Sequence, residues 1–138
     1  MSKLRILIVD DEIEVCDTIE TFLTGFGHDV KTALDGKIAL EIVNSFMPHL
    51  VILDVMIPDM SGIEILKKVK EIDSSIKAVM ISGMQDLRVA KEAIDLGAID
   101  YLPKPIEFTI LHKIVKNLEK SIAGSDDIGK SKGFTEGS

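Results

Sequence analysis

LVILDVMIPDMSG, residues 50–62, runs through four apolar residues, stops at an aspartate, passes a proline-containing loop and ends on Ser61 and Gly62. An unbroken apolar run such as Leu50 to Leu53 fits a strand covered on both faces, and such strands belong to parallel sheets. A helix is expected from about Gly62 to Ile72. The unit reads strand, loop, helix, with an acid, Asp54, at the carboxyl end of the strand.

The same unit recurs along the chain. Further strands are expected at Leu4 to Val9, Asp29 to Ala33, Lys77 to Ile81 and Ile99 to Leu102. The run at Asp29 is more polar than the others, which suits an edge strand. The first helix should bury Val15, Ile19, Phe22, Leu23 and Phe26, and Gly25 or Gly27 can end it. Asp35 can cap a second helix carrying Ile38, Leu40, Ile42, Val43 and Phe46, with Pro48 beyond its end. Asp86 can cap a fourth, with Val89, Ala90, Ala93 and Ile94 inward and Gly97 closing it. The last runs from about Glu107 to Ile122 on a stripe of Ile110, Leu111, Ile114, Val115 and Leu118. Five alternations of strand and helix predict an α/β fold, a doubly wound five-stranded parallel sheet with right-handed crossovers. Ligands of such sheets bind outside the carboxyl ends of the strands.

The 138 residues fit one domain, and its core must be aliphatic, because the only aromatics are five Phe and one Tyr. A net charge of −7 without a basic cluster argues against nucleic-acid binding by this chain. One cysteine, Cys16, permits no internal disulfide and fits a reducing compartment. The apolar start is too short for a secretory or membrane segment. The expectation is a soluble, cytoplasmic protein without a membrane partner. Residues 1–122 read as the folded domain. Residues 123–138, rich in Gly and Ser, read as a flexible tail or a truncated linker.

The chemistry-bearing residues lie at the predicted strand ends. The first strand ends in Asp10, Asp11 and Glu12, the third in Asp54, and the fourth in Ser82 and Gly83. The fifth is followed by Pro103, Lys104 and Pro105. A parallel sheet sets these ends side by side. Crowded carboxylates repel one another and favour a cation. Oxygen ligands without His or Cys favour Mg²⁺. One carboxylate can then serve as the nucleophile of an aspartyl phosphate, with a lysine and a hydroxyl on the phosphoryl oxygens.

Four motifs, IVDDE at residues 8–12, LDVMIPDMSG at 53–62, MISG at 80–83 and AIDYLPKP at 98–105, resemble the receiver domain of bacterial two-component response regulators. The resemblance covers about residues 4–122. It implies a flavodoxin-like (βα)5 fold with strand order 2-1-3-4-5. It also implies a catalytic set of Asp54, Ser82 and Lys104, with Asp54 the phosphoacceptor. Asp10, Asp11, Asp54 and the carbonyl of Met56 would hold Mg²⁺. Ser82 and Tyr101 would form a conformational switch, and the Lys104–Pro105 bond would be cis. The implied partners are a histidine kinase or phosphotransfer protein, a downstream protein or output domain reached through the face of the fourth helix, fifth strand and fifth helix, and a phosphorylation-dependent homodimer. Such a chain is a switch with self-phosphorylation and self-dephosphorylation chemistry, not a metabolic enzyme.

Plainer readings exist for each residue taken alone. Asp11 could cap the first helix, with Glu14 completing a capping box. Ser82–Gly83 could be a simple turn, and Lys104 a solvated lysine between prolines. A phosphatase using an aspartyl phosphate would want a second acid where Met56 stands. A nucleotide module would want a glycine-rich loop where Asp10 to Glu12 stand. His28, His49 and His112 lack metal-ligand spacing. Cys16 reads as core or near-core, and Met47 and Met80 as fillers of core gaps. The resemblance implies that Met56 and Met84 flank the path of the hydrolytic water, and two flexible apolar chains cannot orient it, which predicts slow self-dephosphorylation.

Overall fold

A computed structural model describes the backbone of residues 3–131 and the side chains of residues 3–123. The unit Leu4–Ile106 contains the sheet and four helices; a second unit contains the last helix. The elements alternate as β1 (Arg5–Val9), α1 (Ile13–Thr24), β2 (Asp29–Ala33), α2 (Gly36–Phe46), β3 (Leu50–Asp54), α3 (Gly62–Ile72), β4 (Lys77–Ser82), α4 (Leu87–Asp95), β5 (Asp100–Pro103) and α5 (Phe108–Ser131). All five strands are parallel in the order β2-β1-β3-β4-β5. This is the flavodoxin-like arrangement expected from the motifs, and order reverses beside β1 and β3, where Asp10 and Asp54 lie.

Strand residues alternate between faces. Leu7, Val9, Val51, Leu53, Ala78 and Met80 join one cluster with Ala39 and Val43 of α2, Ile65, Leu66 and Val69 of α3, and Ala93 of α4. Their neighbours Ile6, Ile8, Leu50, Ile52, Val79 and Ile81 are equally buried. Burial of successive residues explains why these strands read as continuous apolar runs. Only β2, at the edge, has the alternating exposure of its polar sequence. α1 lies against β1 and β2 with Cys16, Ile19 and Leu23 buried.

Helix boundaries follow local chemistry. The Asp35 side chain accepts from the Ile38 N–H, Ser61 from Glu64 and Asp86 from Arg88, each satisfying a donor that a helix start leaves unpaired. α1 does not take the plainer reading of Asp11 as its cap. Its N-cap is Glu12, not Asp11, and no side chain caps it. Gly27 and Gly97 carry φ of +89° and +104°, so they turn the chain after α1 and α4 where a side chain would be strained. α2 ends on Met47 in the left-handed region, which is half-buried, not a core filler. The Arg5 guanidinium binds the Phe46 and Met47 carbonyls there.

Several apolar residues expected inside are not. Phe26, Ile38 and Ile94 are 54%, 43% and 48% exposed, and of α4 only Ala93 is fully buried. α4 is short, so a single residue of its stripe reaches the core. In the second unit, Leu111, Val115 and Leu118 are buried and Ile110 is exposed. α5 continues past Ile122 to Ser131. Extending a formed helix adds one hydrogen bond per residue fixed, so the Gly- and Ser-rich composition did not mark its end. Residues 132–138 of the expected tail lie outside the described residues. No helix among the described residues is long and apolar enough to cross a membrane.

Candidate functional site

The sheet delivers the predicted residues to one place. The ladder continues past β1, since the Asp10 N–H donates to the Ala33 carbonyl at 3.1 Å. Asp54 ends β3 beside Ile81 of β4. The Lys104 N–H donates to the Ser82 carbonyl at 2.8 Å, which fixes the residue after β5 against the end of β4. The Lys104–Pro105 bond is cis, as the motif implied.

Three carboxylates surround the Lys104 ammonium. Its Nζ lies 2.8 Å from Asp10 Oδ2, 2.9 Å from Glu12 Oε1 and 3.0 Å from Asp54 Oδ2. Burial alone would lower the lysine pKa, but bonds to Asp10, Glu12 and Asp54 outweigh it and hold the pKa above its ordinary value. Asp10 is fully buried. Burial raises its carboxyl pKa; the Lys104 contact and the Glu12 N–H oppose this, and the Asp54 charge adds to it. Asp10 Oδ1 accepts from the Glu12 N–H at 2.9 Å. Asp10 Oδ2 is within ion-pair distance of Lys104 but receives no well-directed hydrogen bond. Geometry and charge disagree for this atom: it is neutralised but not fully satisfied.

Oxygens of Asp10, Asp11 and Asp54 all lie within 4.8 Å of one another. Asp11 is exposed at the rim. All-oxygen donors, two of them buried, and one under-satisfied oxygen among them fit a hard divalent cation. When bound, such an ion would neutralise charge developing on a phosphoryl group. Met56, the predicted carbonyl ligand, donates its N–H to Asp54 Oδ1 at 3.2 Å.

Ser82 is buried, and its Oγ donates to the Met84 carbonyl at 2.7 Å while accepting from the Met84 N–H at 3.0 Å. The half-buried Tyr101 donates its phenol to the same carbonyl at 3.2 Å. The Met56 and Met84 side chains are exposed. Cys16 is buried with Sγ on the Asp10 carbonyl; burial first, then the Asp10 charge, pushes its thiol up to about 12, which disfavours the reactive thiolate.

Two residues whose contacts sequence reasoning did not foresee, Gly62 and Asp59, shape the loop after Asp54. The N–H of Gly62 donates to the Val55 carbonyl at 2.7 Å, and Met56 bridges Ser61, so the loop closes on itself. A Cβ on Gly62 would collide with the Asp54 carbonyl oxygen and stand 2.8 Å from Val55 Cα. Only glycine allows this approach. Asp59 accepts from the N–H groups of Gly36 and Lys37, capping α2 from the neighbouring loop. Those bonds hold its carboxyl below the ordinary range. Nothing in the spacing announced either contact, although a glycine opening a helix was a visible cue. Glu12 was read only as part of the acidic run; its reach to Lys104 spans 92 residues.

A family model described as response regulator receiver domain matches residues 6–116. The chain belongs to the response regulator receiver family, whose fold and acidic strand-end site it carries, and such a domain is a signalling switch. The chain is 34% identical over 127 residues to the transcriptional regulatory protein ZraR of Salmonella typhimurium, which covers 92% of this chain and 28% of that protein. It is 35% identical over 116 residues to sporulation initiation phosphotransferase F of Bacillus subtilis, covering 84% of this chain and 94% of that one. A CheY-like receiver domain from Methanospirillum hungatei superposes with a TM-score of 0.82 at 29% identity, covering 88% and 98% of the two chains. The chain thus spans little more than a quarter of the ZraR sequence and nearly all of phosphotransferase F.

Proposed function

We propose that this chain receives a phosphoryl group on Asp54 with the help of Mg²⁺, and that the modification changes which partner it binds. The observation that carries this is the collection on one carboxylate: Asp54 shares Lys104 with Asp10 and faces the Asp10 and Asp11 oxygens. Asp10, Asp11 and Asp54, with the Met56 carbonyl, would hold the ion. One Asp54 oxygen forms the new P–O bond as the bond from phosphorus to the donor's leaving group breaks. The electron pair leaves with that group, which is acetate when the donor is acetyl phosphate. Lys104 pairs with a phosphoryl oxygen, and the Ser82 hydroxyl turns to donate to another.

The donor is a histidine kinase or phosphotransfer protein in the cytoplasm. The output is a downstream protein, an attached domain or a second copy of the chain. Ser82 leaves the Met84 carbonyl when it turns, Tyr101 loses its neighbour there, and the α4–β5 surface repacks. Self-phosphorylation by small acyl phosphates and self-dephosphorylation use the same residues.

Intact-mass measurement after incubation with acetyl phosphate and Mg²⁺ tests this. One phosphoryl adduct is expected on the parent protein and none on Asp54→Asn. An unlabelled parent, or a labelled Asp54→Asn, would overturn the assignment.

A further inference from the structure

We propose that Glu12 is the resting counter-ion of Lys104, holding the ammonium while Asp54 is unmodified and releasing it to the incoming phosphoryl group. The inference rests on the reading of Asp54 as phosphoacceptor and assigns a positioning residue to that site.

Helix chemistry leaves the placement of Glu12 unexplained. The residue stands at the N-cap of α1, yet its side chain makes no capping bond. Serine, threonine, aspartate and asparagine fill that place far better. The side chain instead crosses to the loop after β5 and sets Oε1 2.9 Å from Lys104 Nζ.

The ammonium has three N–H bonds and meets three carboxylate oxygens within 3.0 Å. Glu12 and Asp54 take directed hydrogen bonds from it and Asp10 is held by charge, so a phosphoryl oxygen entering this crowd at Lys104 displaces the partner most easily given up. Asp10 and Asp54 side chains are 0% and 7% exposed, so losing the ammonium would leave a buried charge uncompensated. The Glu12 side chain is 58% exposed, and water replaces the ammonium there at small cost. Exposure therefore decides which partner yields. Until it yields, Glu12 also adds a negative charge beside the path of an anionic phosphodonor. Without it, Lys104 would lean entirely on Asp10 and Asp54, two of the acids a divalent cation needs.

Removing Glu12 should thus act in opposite directions on cation and anion. In Glu12→Gln, calorimetric titration should find Mg²⁺ bound roughly threefold more weakly or worse, the scale of one unit charge at close range in partly screened surroundings. At saturating Mg²⁺, the rate of adduct formation per unit of acetyl phosphate should rise by a similar factor. Glu14→Gln removes the same charge from the first turn of the same helix and should leave both quantities near the parent's. Glu12→Gln equal to the parent, both quantities moving the same way, or Glu14→Gln reproducing the effect would each overturn the proposal. A parent that takes no phosphoryl group would instead defeat the reading of Asp54 on which it rests.

Discussion

Ser82 and Tyr101 donate to one and the same acceptor, the carbonyl of Met84, at 2.7 and 3.2 Å. The buried hydroxyl also accepts from the Met84 N–H, so it closes a small loop on itself. A neutral hydrogen bond contributes about 0.5–1.5 kcal/mol net, less where water competes. Ser82→Ala should therefore speed amide exchange of residues 83–86 much more than Tyr101→Phe does. Hydrogen-exchange mass spectrometry comparing the two variants checks the order. Equal effects would mean that the phenol matters as much as the buried hydroxyl.

Gly62→Ala should destabilise the fold by about 1–3 kcal/mol, the usual cost of forcing an added methyl into a packed place. The colliding atoms belong to the backbone of Asp54 and Val55 and have no rotamer to retreat into. Chemical denaturation gives the stability change. Because the collision is with the backbone of Asp54, the proposed phosphoacceptor, labelling by acetyl phosphate should slow as well. Gly83→Ala, where a Cβ meets nothing within 4 Å, is the matched control.

Acid should weaken the fold through His49. Its Nδ1 accepts the Arg5 N–H at 2.9 Å, so the ring must be neutral there. Burial, and then the Arg5 charge, lower its pKa below the ordinary 6.5. The unfolded chain binds that proton more readily than the folded one. The contribution is therefore complete above pH 6.5 and is lost as pH falls through the lowered folded value. His49→Asn offers an acceptor that does not titrate. Urea midpoints should fall between about pH 7.5 and about pH 5.5 for the parent, and less steeply for the variant.

The phosphorylated form should decay slowly. Met56 and Met84, exposed on either side of the site, have no group to hold an attacking water. Loss of the phosphoryl adduct in Mg²⁺, followed by intact mass, should take many minutes. Met56→Asn combined with Met84→Glu should shorten it severalfold. Decay within seconds in the parent, or no difference between the two proteins, would refute this.

Mg²⁺ should raise the thermal midpoint of the parent, because the ion binds the folded acid cluster and not the dispersed acids of the unfolded chain. Asp11→Asn should remove most of that increase while leaving the metal-free midpoint near the parent's, since Asp11 is exposed. Calorimetric scans with Mg²⁺ and with chelator measure both.

The strand architecture was legible because burial on both faces forces the apolar runs, and the acids that interrupt them mark the strand ends. Gly62 to Ile72 appeared where expected for a similar reason: Ser61 supplies the start. Ile94 misled because an apolar residue looks the same in sequence whether it is core or surface, and α4 reaches the core only through Ala93. The plainer reading of Asp11 as a helix cap fails because capping depends on backbone angles that no spacing rule fixes, and the chain places Glu12 at the cap. The Asp59 bonds to α2 and the Glu12 bond to Lys104 join residues 22 to 92 positions apart, so no local pattern could announce them. That Asp10, Asp54, Ser82 and Lys104 come together was legible because a parallel sheet sets its strand ends side by side.

The loop that closes from Val55 to Gly62 gives the site a stiff side. Gly62 is wedged against the backbone of Asp54, Met56 is bridged to Ser61, and Asp59 is pinned to the start of α2. Across the strand ends, residues 83–86 are tied at one carbonyl by a hydroxyl and a phenol. A charge added between an anvil and a latch does its work on the latch. If Asp54 takes a phosphoryl group as proposed, the two hydrogen bonds at the Met84 carbonyl give way more readily than the backbone packing of the Val55 to Gly62 loop.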